Sequence, residues 1–309
     1  LVGGAGENYL LGGPTSEASI NPLDTYQSDT GVIEVGSFDP AEDQTGGEGF
    51  GLTGRPHLSV TPVFRGSWPA DERAAIEFAA NLWEDVLFAS HADEEIRIEF
   101  EKKELPGQRL ASASSRHSSF NGVTYPLALA NHLRGSVGPF PIAIADGVID
   151  VDISTTWYTG TDGGVSEGQF ELVGVIAHEI GHVIGFQLPF ETITVTQTCS
   201  WLETKIHGCK PGESERTVNY HTANLMEYRP FGGTSKVLAE LSQAQRTTAS
   251  TSERIFWAGD QGVDNNFGGD LPMYAPSDFK EGSSLSHHGV PGGLMYFAIG
   301  SGSSLRLNV

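Results

Sequence analysis

One run constrains this chain more than any other: His178-Glu179-Ile180-Gly181-His182 inside an apolar segment, followed directly by Val183-Ile184-Gly185-Phe186. A helix over residues 170–184 sets the two histidines one turn apart on one face, with Glu179 beside them. Two imidazoles so placed can share a metal ion, and with Glu in the second position the run reads as a zinc site. Val173, Ile176, Ile180 and Val183 form an apolar stripe on the far side that must press against a core. Gly185 stands where the helix should stop and can turn the chain away through a left-handed conformation. Histidines four apart also occur by chance on helices; the intervening Glu and the Gly-Phe exit set this pair apart.

At 309 residues and 33.0 kDa the chain can build one large domain or two small ones. Its formal charge of -21, from 18 Lys plus Arg against 39 Asp plus Glu, argues against nucleic acid and anionic membranes as partners. No apolar stretch approaches bilayer length. Residue 1 is Leu in a Gly-rich opening, not Met before a signal sequence, so the expectation is a start removed upstream. The only cysteines, Cys199 and Cys209, lie close together after the histidine helix. A local disulfide would restrain a short loop and add about 2.5 to 3 kcal/mol, whereas a reducing compartment would leave two thiols.

Residues 1–50 are rich in Gly, Asp, Glu, Ser and Thr and read as an acidic extension or pro-segment remnant, with a zinc-binding domain over 51–309. Leu58 to Phe64 alternates like a strand, and Pro69 to Ser90 has helical spacing. Glu95 to Phe100 alternates again, a short helix fits Pro126 to Leu133, and Ile142 to Ile153 is strand-like. Strand, helix, strands and then the histidine helix give an α+β order, with helices on one side of a twisted sheet. The expected division is a 51–186 subdomain carrying the zinc helix and an irregular 187–309 subdomain. In the latter, Thr192 to Gly233 is polar, Leu238 to Ala249 fits a helix, and Gly259 to Gly293 is dominated by Gly, Asp, Asn, Ser and Pro.

Catalytic zinc takes three protein ligands and keeps a fourth position for water, so two histidines leave the site incomplete. In the compact form of the motif a third His follows the Gly by three residues; here that position is Leu188. His57, His91, His117 and His132 sit in polar or charged surroundings and read as surface residues. His287, in Gly282-Ser283-Ser284-Leu285-Ser286-His287-His288, is the strongest candidate, because Leu294-Met295 follows a Pro-Gly-Gly turn. His288 stands beside it as an alternative. His221 is a rival, since Asn224-Leu225-Met226 follows it, and Glu203 would be the third ligand of a gluzincin.

These residues resemble the metzincin zinc endopeptidases, in particular the leishmanolysin-like branch and related secreted bacterial proteases. In that branch a long insertion separates the HExxHxxGF helix from a Ser-His ligand, and a Leu-Met turn follows. Phe78-Ala79-Ala80-Asn81-Leu82-Trp83-Glu84, Tyr125 to Asn131, and Trp257-Ala258-Gly259 through Tyr274-Ala275-Pro276 extend the likeness to about residues 55–300. The resemblance implies a metzincin-like fold, zinc held by His178, His182 and His287, Glu179 as catalytic base and Met295 beneath the metal. Two features depart from it: His288 stands where members often have an aromatic residue, and the sequence ends soon after Met295.

Three neutral imidazoles leave zinc its full charge, and a zinc-bound water has a pKa of about 7. Glu179 can take a proton from that water and pass it to a leaving amine. Tyr296 can assist the oxyanion or simply pack. Asp260 to Asp270 and Gly160 to Gly164 are candidate Ca2+ loops that lack EF-hand spacing and read equally as solvated turns. The expectation is a secreted zinc endopeptidase acting on protein or peptide substrates. The alternatives are an inactive zinc-binding adhesin of the same fold and a zinc hydrolase of a non-peptide bond.

Overall fold

Parallel strand pairing organises the first half of the chain. The computed structural model describes residues 25–28, 31–34, 58–90, 94–120, 122–134, 144–197, 212–258 and 271–305. In order come β1 (Thr25–Ser28), β2 (Gly31–Glu34), β3 (Ser59–Phe64), α1 (Ala70–Glu84), β4 (Glu95–Lys103), β5 (Ala111–Ser115), β6 (His117–Phe120), β7 (Val123–Pro126), α2 (Leu127–Arg134), β8 (Gly147–Asp152), β9 (Trp157–Tyr158), β10 (Phe170–Glu171) and α3 (Leu172–Ile184). β1 and β2 pair antiparallel within the acidic extension, for which the sequence predicts no element. The main sheet runs β3-β4-β8-β5, parallel except for β5, which lies antiparallel at the edge.

One face of this sheet is apolar. Ile96, Ile98 and Phe100 of β4, Ile149 and Val151 of β8, and Ala111 and Ala113 of β5 are buried with the helices α1 and α3 in one core. α1 contributes Ala75, Ile76, Ala79 and Ala80, and α3 contributes Leu172, Val173, Ile176, Ile180 and Val183, so the predicted stripe is the packed face. The indole of Trp83 donates to Ala177 O at 2.9 Å and ties the two helices together. Gly147 permits the close approach of α3 to β8: a Cβ there would lie 2.8 Å from Val183. α1 stops at Glu84, six residues before its predicted end, because Val86 and Leu87 enter a turn whose Leu87 carbonyl accepts from Leu58 N–H.

The second half has its own core. It contains β11 (Phe190–Gln197), β12 (Gly212–Asn219), a 3-10 turn (His221–Asn224), β13 (Met226–Tyr228), β14 (Lys236–Val237), a second 3-10 turn (Leu238–Glu240), α4 (Gln243–Ala249), β15 (Ile255–Trp257) and β16 (Leu271–Pro272). β11 and β12 form an antiparallel hairpin inside the stretch read as polar and irregular. The remaining strands make a sheet in the order β14-β13-β15-β16. The predicted helix over Leu238 to Ala249 is broken by Ser242, which caps α4 through a reciprocal box with Gln245. Met226, Leu238, Leu241, Ala249, Ile255, Met273, Ala275 and Leu285 form the second core, and Phe186 packs against both.

Past this second core the chain returns to the first, where Leu294, Met295, Ile299 and Leu305 are buried. The buried Glu171 carboxylate holds that return by accepting from Leu305 N–H at 2.9 Å and Ser304 Oγ at 3.1 Å. Among the described residues the protein is thus mixed α/β, with four helices and several sheets. No helix among them is long and apolar enough to cross a membrane.

Candidate metal centre

α3 fixes two imidazoles and the returning chain brings the third. The Nε2 atoms of His178 and His182 lie 3.1 Å apart, and each is 3.2 Å from Nε2 of His287. Every Nδ1 meets a backbone carbonyl: His178 meets Leu294 O at 2.7 Å, His182 meets Phe186 O at 2.5 Å, and His287 meets Ser283 O at 3.0 Å. A carbonyl can only accept, so each Nδ1 carries the ring proton and each Nε2 presents a bare lone pair. Three such lone pairs cannot hydrogen-bond to one another, and a cation between them removes the repulsion. Tetrahedral zinc with ordinary Zn–N bonds needs ligand nitrogens about 3.3–3.4 Å apart, so the triangle fits with small adjustment.

The surroundings keep the imidazoles in the ligating form. Burial lowers His178 to about 4. Burial and then the neighbouring His178 lower His182 to about 3. His287 is held well below its ordinary value, by burial first and by the other two rings next. Among the described residues this is the only gathering of three or more His, Cys, Asp or Glu side chains able to hold a metal.

Glu179 is almost wholly buried, and burial pushes its carboxyl up to about 8 against the opposing effects of Ala113 N–H and the charge of Arg109. Its Oε2 has no hydrogen-bond partner. The location of that carboxyl follows from the pairing of β5. Leu110 O accepts from Asp152 N–H and Arg116 N–H donates to Asp146 O. Even-numbered residues between them therefore face β8, and Ala113 points its N–H away from β8, at the covered edge of the sheet. Glu179 thus sits at that edge.

Met295 packs under the site, as its buried thioether lies against the histidine helix: a Cβ on Gly181 would be 2.5 Å from Met295 Sδ. Glycine at that motif position is a consequence of this contact. Tyr296 lines a small cleft with His178, Glu179, Leu110, Val175 and Phe297.

The alternatives to His287 fall elsewhere. His288 is buried, accepts from Val290 N–H at 3.2 Å and occupies the space beside Gly293. His221 stacks on Tyr125 with ring centroids 5.7 Å apart and lies against Gly185, outside the triad. His117 departs from the surface role the sequence predicts: its Nε2 bonds Gln187 Oε1 at 3.0 Å, its ring leans on Tyr220, and burial lowers it to about 4. Polar neighbours in sequence hid this, because the chain folds that segment against the exit of α3. His132 is partly exposed and pairs with Glu94.

In Gly160 to Gly164, the second candidate calcium loop, Asp162 accepts from the Tyr158 hydroxyl and from Gly164 N–H. The other loop, Asp260 to Asp270, lies outside the described residues, as do His57, His91, Glu203 and both cysteines. The ladder flanking the cysteines ends on the paired residues Gln197 and Gly212. Comparison with protein-family models, curated proteins and solved structures returns no match.

Proposed function

We propose that the chain is a secreted zinc endopeptidase of the metzincin type, with His178, His182 and His287 as ligands and Glu179 as general base. The observation that carries this reading is the convergence of three Nε2 lone pairs with fixed tautomers beside a carboxyl group at a sheet edge. A zinc ion held there would supply Lewis acidity and a water of near-neutral pKa.

The rest of the chemistry belongs to the chain. Ala113 N–H steadies the Glu179 carboxylate, and the unpartnered Oε2 is available to take a proton from water and deliver it to a leaving amine. The outward backbone groups of half-buried Ser115 offer an extended peptide hydrogen-bond partners at the end of β5, beside the buried stretch that holds Glu179. A peptide so bound passes Glu179. Tyr296, on the same cleft, is the candidate to meet a developing oxyanion, while its ring packs against His288 and Phe297.

The test combines metal content with hydrolysis. Purified protein should hold about one zinc per chain and cleave casein, lose both on chelation, and regain both on zinc addition. Intact casein and an undigested peptide library at full zinc loading would sink the peptidase reading.

A further inference from the structure

Arg109 is a cation next to the proposed reaction, near enough for its charge to act on Glu179. In a chain with 39 Asp plus Glu against 18 Lys plus Arg, a carboxylate is the neighbour a guanidinium most easily finds. Arg65, Arg97 and Arg229 each pair with one. Arg109 forms no ion pair among the described residues, and its Nε is buried with no hydrogen-bond partner. Burying a charged donor without a partner is costly, so an arginine left this way is set to receive an acceptor from outside.

Its position says which acceptor. Arg109 directly precedes Leu110 and Ala111, two residues that line the cleft beside Glu179. Leu110 is already in the ladder with Asp152, and strand alternation puts residue 109 on the same side as Ala111 and Ala113, both buried beside α3. Arg109 therefore stands beside the cleft and near enough for its charge to act on Glu179, so a peptide that reaches that carboxyl passes close to the guanidinium. The planar fork of arginine matches a carboxylate in a two-point contact.

We propose that Arg109 is a specificity-determining residue that binds a substrate carboxylate, from an acidic side chain or from the peptide's C-terminus. This rests on the peptidase reading and adds to it a substrate class, peptides with an anionic group near the cleavage point. A strongly negative protein repels such peptides at long range, and one guanidinium beside the cleft, its Nε buried, outweighs that where salt screens the rest.

The experiment uses the zinc-loaded chain and a set of fluorogenic peptides carrying Glu, Gln or Lys in turn at each of three positions on either side of the scissile bond. Each peptide is made with a free and an amidated C-terminus. The wild type should favour Glu over Gln by about tenfold or more in kcat/KM at one position, or a free over an amidated end by the same factor. These two results name the source of the carboxylate. Arg109→Gln should erase the preference, Arg109→Lys should keep part of it, and Arg109→Glu should turn it toward Lys.

The same peptides are then titrated into zinc-loaded Glu179→Gln, with and without Arg109→Gln, and Kd is read by fluorescence anisotropy. The Glu-to-Gln ratio of Kd should follow the ratio of kcat/KM. An Arg109→Gln protein that loses activity equally on all peptides, with unchanged Kd ratios, would overturn the proposal and leave Arg109 acting only on Glu179. A wild type that cleaves no peptide would remove the peptidase reading, while the Kd ratios would still decide whether Arg109 binds carboxylates.

Discussion

The two sides of the metal centre are held by different physics. His178 and His182 ride on α3, where helical hydrogen bonds set their separation and a continuous apolar face sets the helix against the sheet. His287 has no such support. It sits in irregular chain, held by Tyr274 N–H donating to His287 O, by Leu285 N–H donating to Tyr274 O, and by Ser283 O and Ser286 Oγ at its ring. Leu285, two residues before it, is fully buried in the second core at a φ of 65°, a conformation a leucine adopts only when packing compels it. A helix delivers ligands through local geometry, whereas a loop delivers one only if a separate core pins it. The loop side should therefore be the more easily broken.

The largest effect is expected from removing the loop ligand. His287→Ala should leave the chain unable to hold zinc at micromolar concentrations and without hydrolytic activity, while His221→Ala keeps both. Zinc stoichiometry after dialysis against a weak chelator measures this. The opposite ranking would move the third ligand to the His221 turn.

Glu179→Gln separates chemistry from metal binding. With zinc retained near one per chain, turnover of a peptide should fall at least about a hundredfold, the loss expected from removing a general base. Most of the activity surviving in a fully loaded variant would rule Glu179 out as the proton acceptor.

A matched pair of core truncations tests the contrast itself. Leu285→Ala and Ile180→Ala each empty a fully buried site and should each cost about 2–5 kcal/mol in urea unfolding of the chelated protein. Their effects on the metal should differ. Leu285→Ala loosens the anchor of His287 and should weaken zinc binding about tenfold or more, whereas Ile180→Ala, with the helix intact, should change it by less than about threefold. Equal losses of zinc affinity would mean that both sides depend alike on core packing.

The same contrast explains what was legible in the sequence. The histidine helix, its stripe, its glycine exit, and the strands over 58–64 and 95–100 could be read directly, because each obeys a local period. The edge strand Ala111–Ser115 could not, since small residues such as Ala and Ser carry no strand signature, yet this strand positions Glu179. The hairpin after the histidine helix showed a signal that its polar composition obscured: Thr192, Thr194 and Thr196 alternate with Ile193 and Val195. His287 was reachable only through resemblance, as no local rule ties a histidine in a Ser/Gly-rich loop to a helix more than a hundred residues earlier. Its choice over His288 needed the fold, because adjacent side chains point apart and only pairing with Tyr274 decides which one faces the metal.

The smallest predicted effect concerns the seam between the two regions, where His221 lies against Gly185 and His117 bonds Gln187 at the exit of α3. Burial holds both rings at about 4, well below an exposed imidazole near 6.5, and His117 adds to the lowering of His221. A depressed folded-state pKa means that the unfolded chain takes up protons first on acidification. The stabilising contribution of each neutral ring is thus complete above pH 6.5 and is lost as pH falls toward 4. His221→Phe keeps a ring to stack on Tyr125, removes the unpartnered Nδ1 and cannot titrate. In chelated protein, where any contribution of the metal is absent, the wild type should lose on the order of 1–2 kcal/mol more than His221→Phe between pH 7.5 and 5.0, at about 1.36 kcal/mol per pKa unit. Urea midpoints at the two pH values measure the difference. Identical pH dependence in the two proteins would mean that His221 titrates as an exposed residue and that the seam is not a closed, water-excluding contact.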